Sequence, residues 1–383
     1  MTVTRRDLIK TMGVAGASIA LMPARTLASV RPARESLRIL FIGGTGFIGP
    51  HMVRRAMARG HTVTLFNRGR TNTHLFPEVE KLVGDRDGGL GVLEGGEWDA
   101  VIDTSGYVPR VVRDSAELLQ DSVHRYLFVS TGDAYANFEK VGLDEDYTLD
   151  ELVNPTPEDL ENPGRYYGPL KVLCERAVME TYPGRSTVLR PGWIIGAGDY
   201  NSISSYWPMR VHHGGEVLAP GDPDYPLQII DPQDLAAFVI KIIEEDINGI
   251  FNTVGPGSPM TTAEFLYGIK AVTTSDARFT WVDDDFLVEM DVGSMTDMPI
   301  WFPPKDDYPT PAPFEPGAKG FHQMSAARAI AAGLTYRPLA ETAKDIIDEY
   351  ASRGTDWATD ERRFGLSLER EAEVLAAWHA RAG

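Results

Sequence analysis

Cysteine is nearly absent from the chain, which has Cys174 alone among its 383 residues. One cysteine forms no intramolecular disulfide and supplies no zinc site built from several thiolates. A disulfide scaffold and a cysteine-based metal cluster are therefore excluded, and we expect no bound metal. Hydrophobic residues make up 43% of the sequence, which is enough for a packed core without such cross-links.

The chain has fewer basic than acidic side chains. The 37 lysines and arginines are outnumbered by 55 aspartates and glutamates, so the formal net charge is −18. Proteins bind nucleic-acid backbones largely by neutralising phosphates with lysine and arginine, and a strongly acidic surface opposes this binding. Nucleic acid is therefore not an expected partner. The length corresponds to two domains or to one large domain.

The apolar run near the start of the chain, residues 12–22, is shorter than the roughly 20 apolar residues that a transmembrane helix needs. The pair Arg5 and Arg6 precedes it, and small residues lead to a cleavage position after Ala28. This arrangement resembles a twin-arginine export signal. It predicts a signal peptide over residues 1–28, transport by the twin-arginine translocation machinery, and a periplasmic or other extracytoplasmic location. The alternatives are a cytosolic protein with a basic terminus and an uncleaved anchor.

A glycine-rich turn follows the first predicted strand, residues 37–42, and opens a helical pattern that extends to Arg59. A second strand pattern covers residues 61–66. Glycines in this context let the backbone approach a pyrophosphate, and the N-terminus of the helix faces the anion. An ordinary glycine-rich turn is the alternative. We predict a dinucleotide site whose binding residues are Gly43, Thr45, Gly46, Phe47, Ile48 and Gly49.

No carboxylate follows the second predicted strand, where NAD sites usually carry one for the adenosine ribose hydroxyl. Asn67, Arg68 and Arg70 stand there instead. Two guanidiniums can pair with a 2′-phosphate, which favours NADP. A bond from Asn67 to a ribose hydroxyl, or stacking of Arg68 on adenine, keeps NAD open. We therefore expect tightly bound NAD(P), with NADP slightly favoured.

Further predicted strands alternate with helices. Apolar runs at residues 79–83, 98–103 and 124–130 each end in a polar cluster, and a helical pattern at 111–120 separates the last two. Alternating strands and helices predict an α/β fold with a doubly wound parallel Rossmann sheet, and ligands bind at the carboxyl ends of such strands. The polar residues at these ends include Asp85, Arg86, Ser105 and Thr131.

Tyr167 and Lys171 are four residues apart, so they share one face if they lie on a helix. A nearby ammonium favours tyrosinate and lowers a phenol pKa from about 10 toward the working range of a general acid or base. Such a group takes the proton of an alcohol while a hydride leaves the carbon. Taken alone, the spacing is common and usually marks only a surface pair.

Together with the glycine turn and Thr131 at a strand end, the pair Tyr167 and Lys171 resembles the extended short-chain dehydrogenase/reductase family of NAD-dependent epimerases and dehydratases. The resemblance covers about residues 37–350. It implies that Tyr167 is the acid/base, that Lys171 steadies it and bonds the nicotinamide ribose, and that Thr131 bonds the substrate oxygen. We also expect cofactor contacts from Ser105 and, as the resemblance implies, from Asp85, Arg86 and Arg190.

The resemblance also implies a smaller C-terminal substrate-binding lobe. We expect the cofactor domain to span residues 37–192 and to receive 229–255, while 193–228 and 256–350 form the lobe. Residues 351–383 are expected to form a charged helical tail. A homodimer is one candidate for the oligomeric state.

The sequence departs from the family's sugar-nucleotide dehydratases after Thr131. Those enzymes carry aspartate or serine and then glutamate, whereas this chain has Gly132 and Asp133. A glycine cannot donate a proton to a leaving hydroxyl, so dehydration is the weaker alternative. Asp133 either assists as a base at the substrate or caps a local turn. No arginine stands near Leu227, where many nucleotide-sugar enzymes hold the diphosphate, which favours a free sugar, glycoside or polyol.

Trp207 and Arg210 are the candidate substrate residues of the lobe. An aromatic ring can cover the C–H face of a sugar, and a guanidinium can bond its hydroxyls. The neighbouring His212 and His213 are more often a solvated pair than a metal site. The sequence as a whole predicts an NAD(P)-dependent epimerase or oxidoreductase acting on a secondary hydroxyl of a carbohydrate. The alternatives are a dehydratase and a non-catalytic RNA- or nucleotide-binding relative on the same fold.

Overall fold

A computed structural model gives the fold of residues 32–199, 201, 203–305, 318–354, 356–359 and 364–381. The predicted export signal lies outside these residues. Within them, no helix is long and apolar enough to cross a membrane.

The strands, in chain order, are β1 Arg38–Ile42, β2 Thr62–Asn67, β3 Glu80–Val83, β4 Trp98–Asp103, β5 Val123–Val129, β6 Ser186–Pro191, β7 Trp193–Ile194, β8 Glu216–Pro220, β9 Pro226–Leu227, β10 Ile229–Ile230, β11 Gly249–Thr253, β12 Met260–Thr261 and β13 Arg278–Val282. The helices are α1 Gly49–Arg59, α2 Pro109–Leu119, α3 Pro157–Leu160, α4 Tyr167–Thr181, α5 Ile203–His213, α6 Pro232–Glu244, α7 Thr262–Lys270, α8 Asp284–Glu289, α9 Ala327–Ala331, α10 Leu339–Ser352 and α11 Leu368–Arg381.

Seven strands form one sheet in the order β11, β6, β5, β4, β1, β2, β3. Every neighbouring pair in it is parallel. The chain moves outward from β1 to β3 and then returns to β4 on the other side of β1. This reversal leaves a crevice at the carboxyl ends of β1 and β4, which is where ligands bind in doubly wound sheets. The predicted doubly wound parallel sheet with a smaller C-terminal lobe is confirmed.

Alternation of side chains along each strand explains why both faces of the sheet carry helices. Ile39 and Phe41 of β1 are buried in a cluster with α1 and α6, whereas Leu40 and Ile42 are buried in a second cluster with α2 and α4. Successive strand residues point to opposite faces, so an uninterrupted apolar run requires cover on both. Cys174 of α4 is fully buried in the second cluster.

The lobe has its own core, to which α5, α7, α10 and α11 contribute. Helix α11, which the sequence presented as a charged tail, packs into this core through Val374 and Leu375. Its Glu371 is buried and accepts hydrogen bonds from Arg210 Nε at 2.5 Å and from the Leu218 amide at 2.9 Å. The tail helix is therefore a structural part of the lobe rather than a solvated extension.

Candidate active site

A cavity of about 780 Å³ opens at the carboxyl ends of β1, β2, β4 and β5. It receives most of the residues that the sequence singled out, although they are spread over about 130 positions of the chain. The predicted site residues that line it are Gly43, Thr45, Gly46, Phe47, Ile48, Gly49, Asn67, Arg68, Asp85, Arg86, Ser105, Thr131, Tyr167 and Lys171. Asp133, Arg190, Trp207 and Arg210 are absent from the wall formed by the described residues.

The glycine turn fits the phosphates of a dinucleotide. Gly43 and Gly44 have φ angles of +107° and +82°, which side-chain-bearing residues rarely adopt. A Cβ on Gly49 would lie 2.6 Å from the Gly44 carbonyl carbon, so only glycine lets α1 approach the turn this closely. A Cβ on Gly46 would meet no atom within 4 Å. The first turn of α1 holds no acidic residue, so no side chain of the helix itself competes with an anion for its positive end.

Asn67 holds the chain as it leaves β2. Its Nδ2 donates to the Gly43 carbonyl at 3.1 Å, and its Oδ1 accepts from the Gly69 amide at 2.9 Å. Arg68 follows, exposed on the cavity wall, and it forms no ion pair with any residue in the described ranges. The side chain of Asn67 is thus engaged in the turn, while the guanidinium of Arg68 is available to a ligand.

Arg86 is engaged within the protein. Its Nη1 and Nη2 donate to the two carboxylate oxygens of Asp103 at 2.9 and 2.6 Å, and it also donates to Ser115 and Tyr126. Burial disfavours the charged guanidinium, but Asp103, Tyr126 and Cys174 together more than offset this effect, so the Arg86 pKa is raised. Arg86 therefore acts first as one half of a buried ion pair at the cavity wall.

Helix α4 brings Tyr167 and Lys171 to the same cavity, one turn apart. The ammonium of Lys171 is buried and donates to the carbonyls of Val129 at 2.7 Å and Gly106 at 2.8 Å. It also lies 4.2 Å from the ring centroid of Phe128. Burial lowers the pKa of Lys171 to about 8. Two of its three N–H donors are used by the protein, which leaves one for a ligand.

Tyr107 also lines the cavity, although it was not among the site residues expected from the sequence. Its ring centroid lies 6.3 Å from that of Tyr167 and 5.3 Å from the Lys171 ammonium. Burial, together with the charge of Asp103, raises the pKa of Tyr107 to about 12, so this phenol stays protonated. The one sequence feature that could have identified Tyr107 as a site residue is its position as an aromatic residue in the polar cluster after β4.

Thr131 lies two residues beyond the end of β5 and lines the cavity. Its Oγ1 accepts a hydrogen bond from the Asp133 amide at 3.1 Å, which starts the short 3₁₀ turn Gly132–Ala134. Since the Thr131 hydroxyl donates to no other residue in the described ranges, its proton is available to a ligand oxygen. Its neighbour Ser130 also borders the cavity, but its hydroxyl donates to Glu175.

Arg190 does not reach the cavity, which corrects its prediction as a cofactor ligand. It is 1% exposed, and its Nε and Nη2 donate to the two carboxylate oxygens of Glu175 at 3.1 and 2.6 Å. The next two residues, Pro191 and Gly192, line the cavity in its place. Arg190 lies behind them and fixes the end of β6 to α4.

Trp207 and Arg210 are likewise corrected as substrate residues, because both belong to the core of the lobe. Trp207 is buried and donates from Nε1 to the Pro299 carbonyl at 2.7 Å. Arg210 is buried and pairs with Glu371 while donating to the Gly214 carbonyl at 2.8 Å. Among the described residues there is also no cluster of three or more metal-binding side chains.

A doubly wound sheet with a glycine turn, and a tyrosine and lysine facing the same cavity, defines a dinucleotide-binding α/β protein. The model of the NAD dependent epimerase/dehydratase family matches residues 39–253, which is more than half of the chain. The chain belongs to this family.

The chain is similar to three relatives at low sequence identity. Over 242 residues, the chain is 24% identical to the chloroplast stem-loop binding protein of 41 kDa b from Arabidopsis thaliana, which covers 58% of this chain and 60% of that protein. It is 28% identical over 255 residues to the bovine (Bos taurus) epimerase family protein SDR39U1, covering 60% of this chain and 78% of the relative. The human SDR39U1 structure with NADPH gives a TM-score of 0.53 at 20% identity, covering 80% and 99% of the two chains.

A solved UDP-N-acetylglucosamine 4-epimerase from Bacillus cereus gives a TM-score of 0.56 at 18% identity. The alignment covers 83% of this chain and all of that one. At these identities the solved structures establish the shared fold.

The buried ammonium of Lys171 makes stability depend on pH. Its pKa in the folded protein is about 8, whereas lysine in an unfolded chain titrates near 10.4. Between these values the unfolded chain binds more protons, so the free energy of unfolding rises with pH. The stability of the wild type relative to Lys171→Met, from urea denaturation, should therefore increase by about 1–3 kcal/mol between about pH 7 and about pH 10.

Lys344→Met serves as the control, because Lys344 is 61% exposed and pairs with Asp348 on the surface of α10. Its stability difference from the wild type should show no such rise. A pH-independent difference for Lys171→Met as well would contradict a depressed pKa at Lys171.

Proposed function

We propose that the protein is an NAD(P)-dependent epimerase or oxidoreductase that acts on a secondary hydroxyl of a carbohydrate, with Tyr167 as the acid/base. One observation carries the proposal: Thr131, Tyr167 and Lys171 line the same cavity as the glycine turn. Family membership and the fold support a dinucleotide at that turn. Of the two reactions, epimerisation is favoured, since it returns the cofactor to its starting state.

Each of the three residues has a distinct role in this chemistry. A bound nicotinamide dinucleotide supplies hydride acceptance and return. Thr131 donates its hydroxyl proton to the substrate oxygen and holds it beside Tyr167. The Tyr167 oxygen takes the proton of the substrate hydroxyl and later gives it back. The ammonium of Lys171 favours the ionised form of Tyr167, and its remaining N–H donor holds a ribose hydroxyl of the cofactor.

NADP is the favoured cofactor in this proposal. No carboxylate follows β2, and Arg68 stands at the cavity without an ion pair in the described part of the chain. A guanidinium pairs well with a phosphate and has no special affinity for a ribose hydroxyl. The human SDR39U1 structure, which shares the fold, was solved with NADPH.

An uncharged carbohydrate is favoured over a nucleotide sugar. Within the described ranges, the basic side chains on the cavity wall are Arg68, Arg70, Arg86 and Lys171. Arg68 and Arg70 follow β2, where the adenosine end of a cofactor binds, whereas Arg86 is held by Asp103 and Lys171 donates to the Val129 and Gly106 carbonyls. On the wall formed by the described residues, a substrate diphosphate near Tyr167 would therefore meet only basic side chains that the protein already engages. The Bacillus cereus neighbour is named for a UDP-sugar, so both substrate types belong in the test.

Dehydration remains the weaker alternative, and the surroundings of Gly132 give a reason. A Cβ at this position would lie 3.2 Å from Met324 Cε and 3.2 Å from the Pro191 carbonyl oxygen. The space in which a dehydratase would hold its proton donor is thus filled by the thioether of Met324. The backbone of Met324 is fixed by two hydrogen bonds of 2.9 Å with the side chain of Gln228.

Export with the cofactor already bound is part of the proposal, on the basis of Arg5 and Arg6 in the sequence. An epimerase suits this route because it consumes no cofactor outside the cytoplasm. Fractionation of cells that express the full chain should find it outside the cytoplasm, and the double variant Arg5→Lys, Arg6→Lys should accumulate inside. Equal distribution of the two proteins would refute export by this pathway.

Replacement of Tyr167 tests the catalytic proposal. Tyr167→Phe should lower turnover by about 10²–10⁴-fold, because the group that moves the proton is lost. NADPH affinity should stay close to the wild-type value. Turnover is followed by NMR of the sugar and by nicotinamide absorbance, on UDP-glucose, UDP-N-acetylglucosamine and the corresponding free sugars.

Tyr166→Phe is the matched control, because Tyr166 adjoins Tyr167 but contacts Arg165 instead of lining the cavity. It should retain full turnover. A Tyr167→Phe enzyme as active as the wild type would remove Tyr167 from the mechanism.

RNA binding is the second candidate function, favoured by the similarity to the chloroplast stem-loop binding protein. The formal charge of −18 argues against it, since RNA affinity rests largely on lysine and arginine. We expect the purified protein to retain no structured RNA on a filter at low salt. Retention that falls steeply with added salt would instead favour this candidate.

A further inference from the structure

The chain reverses direction after β2 and returns to the glycine turn. Gly69 adopts a φ of +63°, and its amide is bonded to the Asn67 side chain. Three residues later, Asn72 Nδ2 donates to the Thr45 carbonyl at 2.9 Å. Thr45 lies in the middle of the glycine turn, so this bond brings the segment of Arg70, Thr71 and Asn72 against the proposed phosphate site. All three residues line the cavity.

The returning segment is anchored on both sides of this contact. Asn72 is itself buried, with a φ of +47° that asparagine tolerates better than most residues. Leu75 and Phe76 follow it into the core cluster beneath α1. The guanidinium of Arg54, on α1, lies 5.5 Å from the ring centroid of Phe76. The position of the segment relative to the turn is therefore set by buried contacts rather than by solvent-exposed chain.

Arg70 is the charged residue that this geometry presents to the turn. It is exposed on the cavity side and forms no ion pair with a residue in the described ranges, in contrast to the fully engaged Arg86. The first turn of α1, which faces the same space, carries no acidic side chain. Arg68, by comparison, directly follows the last residue of β2, where a Rossmann site meets the adenosine ribose.

This inference rests on the proposed function. We propose that Arg70 and Arg68 bind different phosphate groups of the cofactor. Arg70 binds the pyrophosphate from the side opposite the glycine turn, and Arg68 binds the 2′-phosphate. Arg70 then strengthens the binding of NAD and NADP equally and slows the release of either. Arg68 alone sets the preference between them. This arrangement gives a structural reason for tight retention of the cofactor.

The test compares Arg70→Ala and Arg68→Ala in the full protein after carried nucleotide has been removed with charcoal. Dissociation constants for NAD⁺ and NADP⁺ are measured by calorimetry, and release rates by stopped-flow fluorescence with NADH and NADPH. Arg70→Ala should weaken both dinucleotides by the same factor of about ten and raise both release rates, because one charge-assisted contact is lost. Arg70→Lys should recover part of the loss, since it keeps the charge.

Arg68→Ala should weaken NADP⁺ by about tenfold and leave NAD⁺ unchanged. If Arg70→Ala weakens NADP⁺ alone, Arg70 is a ligand of the 2′-phosphate and the proposed division is overturned. If Arg70→Ala changes neither dinucleotide, Arg70 is a solvated side chain and the proposal is equally overturned. Failure of the wild type to bind either dinucleotide overturns the proposed function itself, and this outcome is distinct from the other two.

Discussion

The buried carboxylate of Glu175 is the constraint on which the geometry of the site depends. It lies on α4, one turn beyond Lys171 and two turns beyond Tyr167. It accepts hydrogen bonds from Ser130, at the end of β5, and from Arg190, at the end of β6. One side chain thus joins the helix that carries Tyr167 to the two strands whose ends supply Thr131 and the Pro191 wall. Because the ion pair is fully buried, loss of either partner would leave an uncompensated charge in the core.

The same network extends from the sheet to the lobe. Arg190 Nη1 donates to the Tyr135 hydroxyl at 3.3 Å, which in turn donates to Asn252 Oδ1 at 2.6 Å. Asn252 then donates from Nδ2 to the Ser325 carbonyl at 3.1 Å, next to Met324. The backbone of Ser325, next to the residue that fills the space at Gly132, is therefore connected through hydrogen bonds to the pair of Arg190 and Glu175. Such fully paired networks fix one arrangement, since any shift would break several bonds at once.

The sequence predicted those parts of the fold and of the site that depend on interactions between residues close together in the chain. The strand, glycine turn and helix around Gly43 to Gly49 can be recognised from a short local pattern. The four-residue spacing of Tyr167 and Lys171 places both on one face as soon as the segment is helical. The strand ends then bring these groups to one cavity by the rules of parallel sheets. The fold and the position of the cavity could therefore be predicted from the sequence.

The sequence was uninformative about which partner a charged side chain finds. Arg190 was predicted to contact the cofactor because it lies at a strand end, but its guanidinium donates to Glu175, 15 residues earlier in the chain. Arg210 was predicted to bind the sugar, but it forms an ion pair with Glu371, which lies 161 residues away in the chain on α11. Pairings across such distances are set by the tertiary fold and leave no local pattern. The position of Asn72 against Thr45 was hidden for the same reason, since a loop's return path depends on where its apolar residues are buried.

We propose that this cavity holds a nicotinamide dinucleotide throughout the working life of the protein. The most direct measurement is the mass and absorbance spectrum of the nucleotide released when the purified, undialysed protein is denatured. We expect close to one equivalent of nicotinamide dinucleotide per chain, mostly NADP. Release of NAD alone would contradict the role given to Arg68, and release of no dinucleotide would contradict the retained cofactor on which the proposed epimerase rests.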